Sequence, residues 1–227
     1  MAMSPRLLRP VASGFDPRRI SGLELWLDGS DSSTITLNAT TVSEWRDKSG
    51  KGKNFTQVTA ISQPTFTASA RNGRSGINLP AGRTLLGPAG FSFAQPTTWF
   101  LTFQAPTTSG QWALYDGNTA RQHLYGNAST EMRMFAGAGP VAATITQSVW
   151  YAAVLAYNGA SSTHRVSTLT ASTVNAGAAS ITAPRIGSGQ GLRGDLGEIG
   201  MFSRALSDTE ATAMLRYLSK KWDVTLA

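Results

Sequence analysis

From Arg185 to Trp222 the chain reads RIGSGQGLRGDLGEIGMFSRALSDTEATAMLRYLSKKW, and few folds accommodate the order it implies: strand, glycine-rich turn, strand, capped helix. Arg185 to Gly187 closes an apolar run begun at Ile181. Gly187, Gly189, Gly191 and Gly194 offer positive-φ positions for a tight connection, because glycine lacks the Cβ that makes that region costly. Leu196, Ile199, Met201 and Phe202 then supply a short buried strand. Ser207 and Glu210 stand at capping-box spacing, where hydroxyl and carboxylate satisfy the orphan amides of a helix start. Ala211, Met214, Leu215, Leu218 and Trp222 follow at helical spacing, which predicts one apolar helical face laid on a sheet.

The opening of the chain carries a second set of signals: Gly22 to Asp31 (GLELWLDGSD), Val42 to Gln57 (VSEWRDKSGKGKNFTQ), then Gln63-Pro64 and Asn72-Gly73. Taken with Gly194 to Ile199 (GDLGEI) and Ser203 to Glu210 (SRALSDTE), these stretches resemble laminin-G-like, concanavalin-A-like jelly-roll domains of the kind found in phage and bacterial proteins. The matches bracket roughly residues 20 to 222. The resemblance implies an all-β fold, a two-sheet antiparallel jelly-roll sandwich with one short C-terminal helix. That fold hosts lectins, hydrolases and structural modules alike, so function has to be read from sites.

Composition agrees with a sandwich. A single domain of this kind can use 227 residues, and 41% hydrophobic against 15% charged residues is ample for a core. Twenty-three glycines and ten prolines punctuate the chain as many short strands require. Cysteine is absent, so neither disulfides nor thiol chemistry contribute. No apolar run approaches the length needed to cross a bilayer. Arg9 and Pro10 interrupt the start of the chain, which lacks the continuous apolar core of a signal peptide. Synthesis and folding in a reducing host cytoplasm are expected.

Alternation places the strands. Leu23, Leu25 and Leu27 are expected on one face, with Glu24, Trp26 and Asp28 on the other. Trp99, Leu101 and Phe103 oppose Thr98, Phe100 and Thr102 in the same way. Short strands over Gln111–Tyr115, Gln122–Tyr125 and Glu131–Phe135 are separated by the turn sequences Asp116-Gly117-Asn118 and Gly126-Asn127. Val149 to Tyr157 is apolar on both faces and reads as a central strand; His164–Thr168 and Ser180–Ile186 follow. Trp26, Trp45, Trp99 and Trp150 lie within apolar strands and are expected in the core.

Residues 1–19 differ in kind, and the boundary falls near Phe15-Asp16-Pro17. They read as an extended basic arm, with Arg6, Arg9, Arg18 and Arg19 against one Asp16, expected to lie across a neighbouring subunit. The formal net charge is +7 and the pI near 10.1. The arginines are scattered rather than gathered with exposed aromatics, which argues against a specific nucleic-acid interface. The densest basic stretch, Arg46, Lys48, Lys51 and Lys53, reads as a solvated hairpin loop in which Asp47 folds back on the amides of Ser49 or Gly50. Fifteen arginines against five lysines suit a chain with much contact surface.

Motif-like strings carry little chemistry. Gly189 to Gly194 (GQGLRG) satisfies a dinucleotide fingerprint but runs into DLGEIGMF, a strand, where the pyrophosphate would need a helix N-terminus. No strand carries the alternating carboxylates of a sandwich glycosidase. His123 and His164 fall in separate strands without metal-ligand spacing. No catalytic, cofactor or metal residues are therefore expected, and the chain reads as non-enzymatic. For a rim site of the lectin kind, which the resemblance implies, the candidate ligand loop is Trp112, Asp116 and Asn118.

Two functions are weighed. With a basic arm, one sandwich and no catalytic partner domain, anchor or secretion signal in sight, the chain is expected to be a phage virion structural protein. It would be a decoration protein on the capsid exterior, a symmetric homo-oligomer contacting the major capsid protein or other virion subunits. Arm and loop contacts would there add cooperatively. The alternative is a carbohydrate-binding, lectin-like module of a tail fibre or a secreted bacterial protein, with a surface glycan as partner and no membrane.

Overall fold

The computed structural model describes residues 14–118, 120–187 and 189–227. In chain order its strands are β1 (Leu23–Asp28), β2 (Ile35–Asn38), β3 (Thr41–Trp45), β4 (Phe55–Thr56), β5 (Thr65–Arg71), β6 (Arg74–Asn78), β7 (Leu85–Leu86), β8 (Ser92–Phe93), β9 (Thr97–Gln104) and β10 (Trp112–Asp116). They continue with β11 (His123–Gly126), β12 (Glu131–Phe135), β13 (Val141–Thr144), β14 (Trp150–Tyr157), β15 (Ser162–Val166), β16 (Ser172–Val174), β17 (Ile181–Thr182), β18 (Arg185–Ile186) and β19 (Asp195–Phe202). One helix, α1 (Asp208–Trp222), follows.

Antiparallel pairing links seventeen of these strands into one ladder that folds into two layers. The back layer runs β1-β19-β9-β14-β15-β16. The front layer runs β2-β3-β4-β7-β18-β10-β11-β12-β13. Strands β5 and β6 make the corner, β6 pairing with β19 and β5 touching β3 at Thr41–Thr65. β14 is central as expected, flanked by β9 and β15. The predicted all-β antiparallel sandwich with one C-terminal helix is the fold.

Because side chains alternate along a strand, the back layer feeds two cores. Leu25, Leu27, Trp99, Leu101, Phe103, Leu155 and Ile199 point inward and meet Trp45, Phe55, Leu114, Leu124 and Met134 of the front layer. Trp26, Phe100, Val154 and Phe202 point outward and are covered by α1 through Ala211, Met214, Leu215, Leu218 and Trp222. Leu23 departs from the simple alternation: the β1–β19 register shifts between Leu23 and Leu25, and Leu23 joins the helix-side core.

The helix starts where its cap requires. Ser207 Oγ accepts from the Glu210 amide while the Glu210 carboxylate accepts from the Ser207 amide, both boxes of the cap being filled. Arg204 and the cap hold the Glu210 carboxyl down at about 2. At the far end Asp223 takes a left-handed conformation and closes the last turn.

The GDLGEIG strand is shaped to receive this helix. A Cβ on Gly197 would lie 2.9 Å from both the Trp222 ring and Thr102 Oγ1, and one on Gly200 would lie 2.5 Å from the Leu25 carbonyl and clash with the Phe100 ring. Between them Glu198, 0% exposed, accepts from Trp26 Nε1 (2.6 Å), Tyr217 OH (2.8 Å), Lys221 Nζ (2.7 Å) and Trp222 Nε1 (2.9 Å). Lys221 also bonds Asp28 at 2.7 Å, so one ammonium ties strand β1, strand β19 and the helix. Burial, with Glu198 adding, pushes the Tyr217 phenol far above its ordinary range.

The basic segments find specific partners. The 46–53 stretch is the expected hairpin loop between β3 and β4, with Arg46 and Lys51 exposed, but two of its lysines are held: Lys48 bonds Asp28 (2.9 Å) and Asp31 (2.8 Å), and Lys53 bonds Glu24 (2.7 Å). The acidic partners of these two lysines come from β1 and the turn after it, far from the loop in sequence. Asp47 does fold back, accepting from the Ser49 amide at 2.8 Å, and Gly50 and Gly52 take positive φ. Of the arm, residues 14–19 lie against the sandwich: Phe15 meets the Tyr217 ring at 5.0 Å, and Asp16 caps a short turn over Pro17–Arg19. Arg18 is held by Asp16 and lies 5.8 Å from the Trp26 ring, with Arg19 in the same turn. Arg6 and Arg9 lie outside the described residues. Of the four glycines expected at positive φ in the turn before β19, Gly187 and Gly191 adopt it. Gly194 is instead required by the Gln104 carbonyl, 2.6 Å from where its Cβ would be.

Candidate functional site

With α1 covering the outside of the back layer, the free sheet face is the outer surface of the front layer, and a cavity of about 300 Å³ opens there where β10, β11 and β18 meet. An irregularity in β10 builds it. Strict alternation would put residues 112, 114 and 116 on one face. The β10–β11 register shifts between Ala113 and Tyr115, so Tyr115 also turns inward, stacking on Trp99 at 4.2 Å. Asp116 is thereby set against the cavity.

Asp116 is 1% exposed and its charge is met by two guanidinium groups. Arg121 grips it with two bonds, Nε at 2.8 Å and Nη2 at 2.7 Å, the paired geometry that guanidinium and carboxylate favour. Arg185 Nη2 reaches the same carboxylate at 3.3 Å. Residues 121, 123 and 125 then alternate to one face around β11. His123 stacks on Tyr125 with ring centres 4.5 Å apart, and the Arg121 guanidinium lies 5.8 Å from the Phe135 ring.

The state of His123 follows from its neighbours. Burial, reinforced by Arg121 and Arg185 and opposed by Asp116, lowers its pKa to about 4, so the ring is neutral at pH 7. Its Nδ1 lies 3.3 Å from Arg121 Nη2. A guanidinium only donates, so Nδ1 accepts and the ring proton sits on Nε2. Among the described residues four buried side-chain polar atoms have no partner: Trp45 Nε1, Thr102 Oγ1, His123 Nε2 and Arg185 Nε. Two of the four belong to residues lining this cavity.

A larger groove of about 680 Å³ lies along α1, lined by Phe15, Arg74, Ala213, Arg216, Tyr217 and Lys220 among others. None of the unpartnered buried atoms belongs to it. Among the described residues no group of three or more carboxylates and histidines is placed to hold a metal ion. No described helix is long and apolar enough to cross a membrane.

The structure brings together two of the three candidate loop residues. Trp112 and Asp116 line the cavity and Asn118 does not; its amide instead donates to the Thr182 carbonyl at 2.8 Å. Trp112 is 1% exposed, stacks on Phe103 and donates to the Ala128 and Glu131 carbonyls, so the ring available to a ligand is that of Tyr125. Arg121, His123, Tyr125 and Arg185 were not foreseen. The first three carry a legible signal, alternate positions 121, 123 and 125 on a strand that begins at a turn; Arg185 carries none, since only pairing of β18 with β10 brings it near.

Fold and site together define an antiparallel β-sandwich with a small polar cavity on the outer face of one layer. No family model matches the chain, and no curated protein matches it in sequence. Solved structures do share the fold. A Trypanosoma rangeli sialidase superposes with a TM-score of 0.56 at 14% identity, over 91% of this chain and 34% of the sialidase chain. The binding domain of Paraclostridial Mosquitocidal Protein 1 gives 0.60 at 12% identity, over 86% of this chain and 52% of that one. The botulinum neurotoxin serotype G binding domain gives 0.62 at 10%, over 89% and 54%. The chain thus spans about a third of the sialidase and about half of the toxin structures, and at these identities the likeness is one of fold. The expectation of a non-enzymatic chain is corrected here: sialidase chains stand among the structures that share the fold, so the fold supplies no ground for excluding an enzyme. The expected phage link finds no support among these structures.

Proposed function

We propose that the protein is a binding module whose front-layer cavity holds a carbohydrate ligand. The observation that carries this reading is the cavity itself. Planar polar side chains fixed by ion pairs, Arg121 and Arg185 on Asp116, surround an accessible aromatic ring, Tyr125, on a rigid sheet. Such groups recognise hydroxyl-rich ligands by hydrogen bonds to fixed donors and by contact with a ring face. The volume of about 300 Å³ suits one sugar residue or a short segment. Further support comes from the toxin structures sharing the fold, which are themselves binding domains. The capsid-decoration reading has no structural observation of its own, since Arg6 and Arg9 lie outside the described residues and Arg18 is engaged by Asp16.

A glycan panel followed by titration calorimetry tests the proposal. At least one saccharide is expected to bind, and Tyr125→Ala, which removes the ring while leaving the ion pairs, is expected to weaken it about tenfold or more. No binding across the panel, or full affinity in the Tyr125 variant, overturns the reading.

A further inference from the structure

The two unpartnered nitrogens, buried in residues that line the cavity, are both donors. The tautomer argument puts a proton on His123 Nε2, and Arg185 Nε always carries one. Among the described residues that line the cavity, no buried side-chain acceptor is left unpartnered beside them. A buried donor left without an acceptor is costly, so a site that keeps two of them is matched to a group that accepts twice. Charge narrows the choice. Two guanidinium groups face a single carboxylate, His123 is neutral, and the site carries one excess positive charge. A neutral hydroxyl could accept one bond but would bring a proton of its own. The carboxylate best placed to take it, Asp116, already accepts three hydrogen bonds, from Arg121 twice and Arg185 once. A group that accepts only asks nothing further of Asp116, and an anionic one also offsets the excess positive charge.

Resting on the reading of the cavity as a carbohydrate site, we infer that the sugar it takes is an acidic one, bound through an acceptor-only anion by Arg185 Nε–H and His123 Nε2–H. A uronate carboxylate and a sulfate ester share that chemistry. The surrounding amides of Gln111, Asn127 and Gln190 are left for ring hydroxyls.

The experiment pairs each acidic saccharide with its neutralised counterpart: uronic-acid oligosaccharides with their methyl esters, sulfated galactan oligosaccharides with desulfated ones. Binders are expected among the acidic members, with neutralisation weakening them at least tenfold; which pair responds separates carboxylate from sulfate. Neutral members binding as well as their acidic partners overturns this inference while leaving the carbohydrate site intact. Absence of any saccharide binding overturns the carbohydrate reading and this inference with it. His123→Phe keeps a ring to stack on Tyr125 but lacks the donor, and His123→Gln restores an N–H. The Phe variant, checked for folding by its melting curve, is expected to lose about tenfold in affinity for the acidic ligand, and the Gln variant to recover part of it. Wild-type affinity in the Phe variant also overturns the inference.

Discussion

Glu198 and His123 show how burial assigns opposite roles to ionisable residues. Glu198 is fully enclosed and satisfied by four donors; it fastens the helix. Glu198→Ala leaves two indoles, a phenol and an ammonium facing a void, and is expected to cost roughly 3–5 kcal/mol of stability, read from denaturant midpoints. His123 is half-buried and neutral. With a folded pKa of about 4 against 6.5, the unfolded chain takes up the proton first as the pH falls. Its contribution to stability is therefore complete above pH 6.5, declines between 6.5 and about 4, and falls no further below. Over that window the wild type is expected to lose more stability than His123→Gln in parallel urea titrations; equal losses would contradict the assignment. Sequence could mark Glu198 only as part of the GEI string and His123 only as a histidine without a metal partner. The reasons for both lie in residues from distant segments: Trp26 and Trp222 for the first, Arg185 for the second.

At the level of elements, the helix and the strand that receives it are the most legible parts of the chain. Ser207 with Glu210, and the apolar spacing from Ala211 to Trp222, announce the cap and the buried face, and both are present. Local spacing encodes them, so a local reading finds them. The glycines of β19 are visible as a motif but not as a mechanism: Gly197 and Gly200 are bare to let Trp222 and Phe100 approach. Gly200→Ala forces a methyl against the Leu25 carbonyl and is expected to cost about 1–3 kcal/mol, measurable as a lowered melting temperature; an unchanged melt would show the strands can separate to admit it. Register was less legible. The shift in β10 that presents Asp116 and the shift in β1 that moves Leu23 leave no composition signal, because a bulge is set by pairing partners rather than by the strand's own residues. The holding of Lys48 and Lys53 was hidden for a similar reason, the carboxylates of Asp28 and Glu24 lying in another strand.

Across the whole molecule, one layer does double duty. The back layer packs the front layer on one side and α1 on the other, so hydrophobic surface is consumed on both of its faces, and polar chemistry is left to the outside of the front layer. The sandwich class was readable from punctuation, alternation and the absence of long apolar runs. The site was readable in part, since Asp116 and Trp112 mark its position while the guanidinium groups that give it character come together only through the topology.

Phe15 rests on Tyr217 of the helix, and Leu226 packs into the same helix-side core. Both ends of the folded body therefore emerge from the rear, behind the layer that turns its back on the cavity. A tether attached beyond Leu226 to hold the protein in a surface-binding assay therefore starts on the side of the sandwich opposite the cavity.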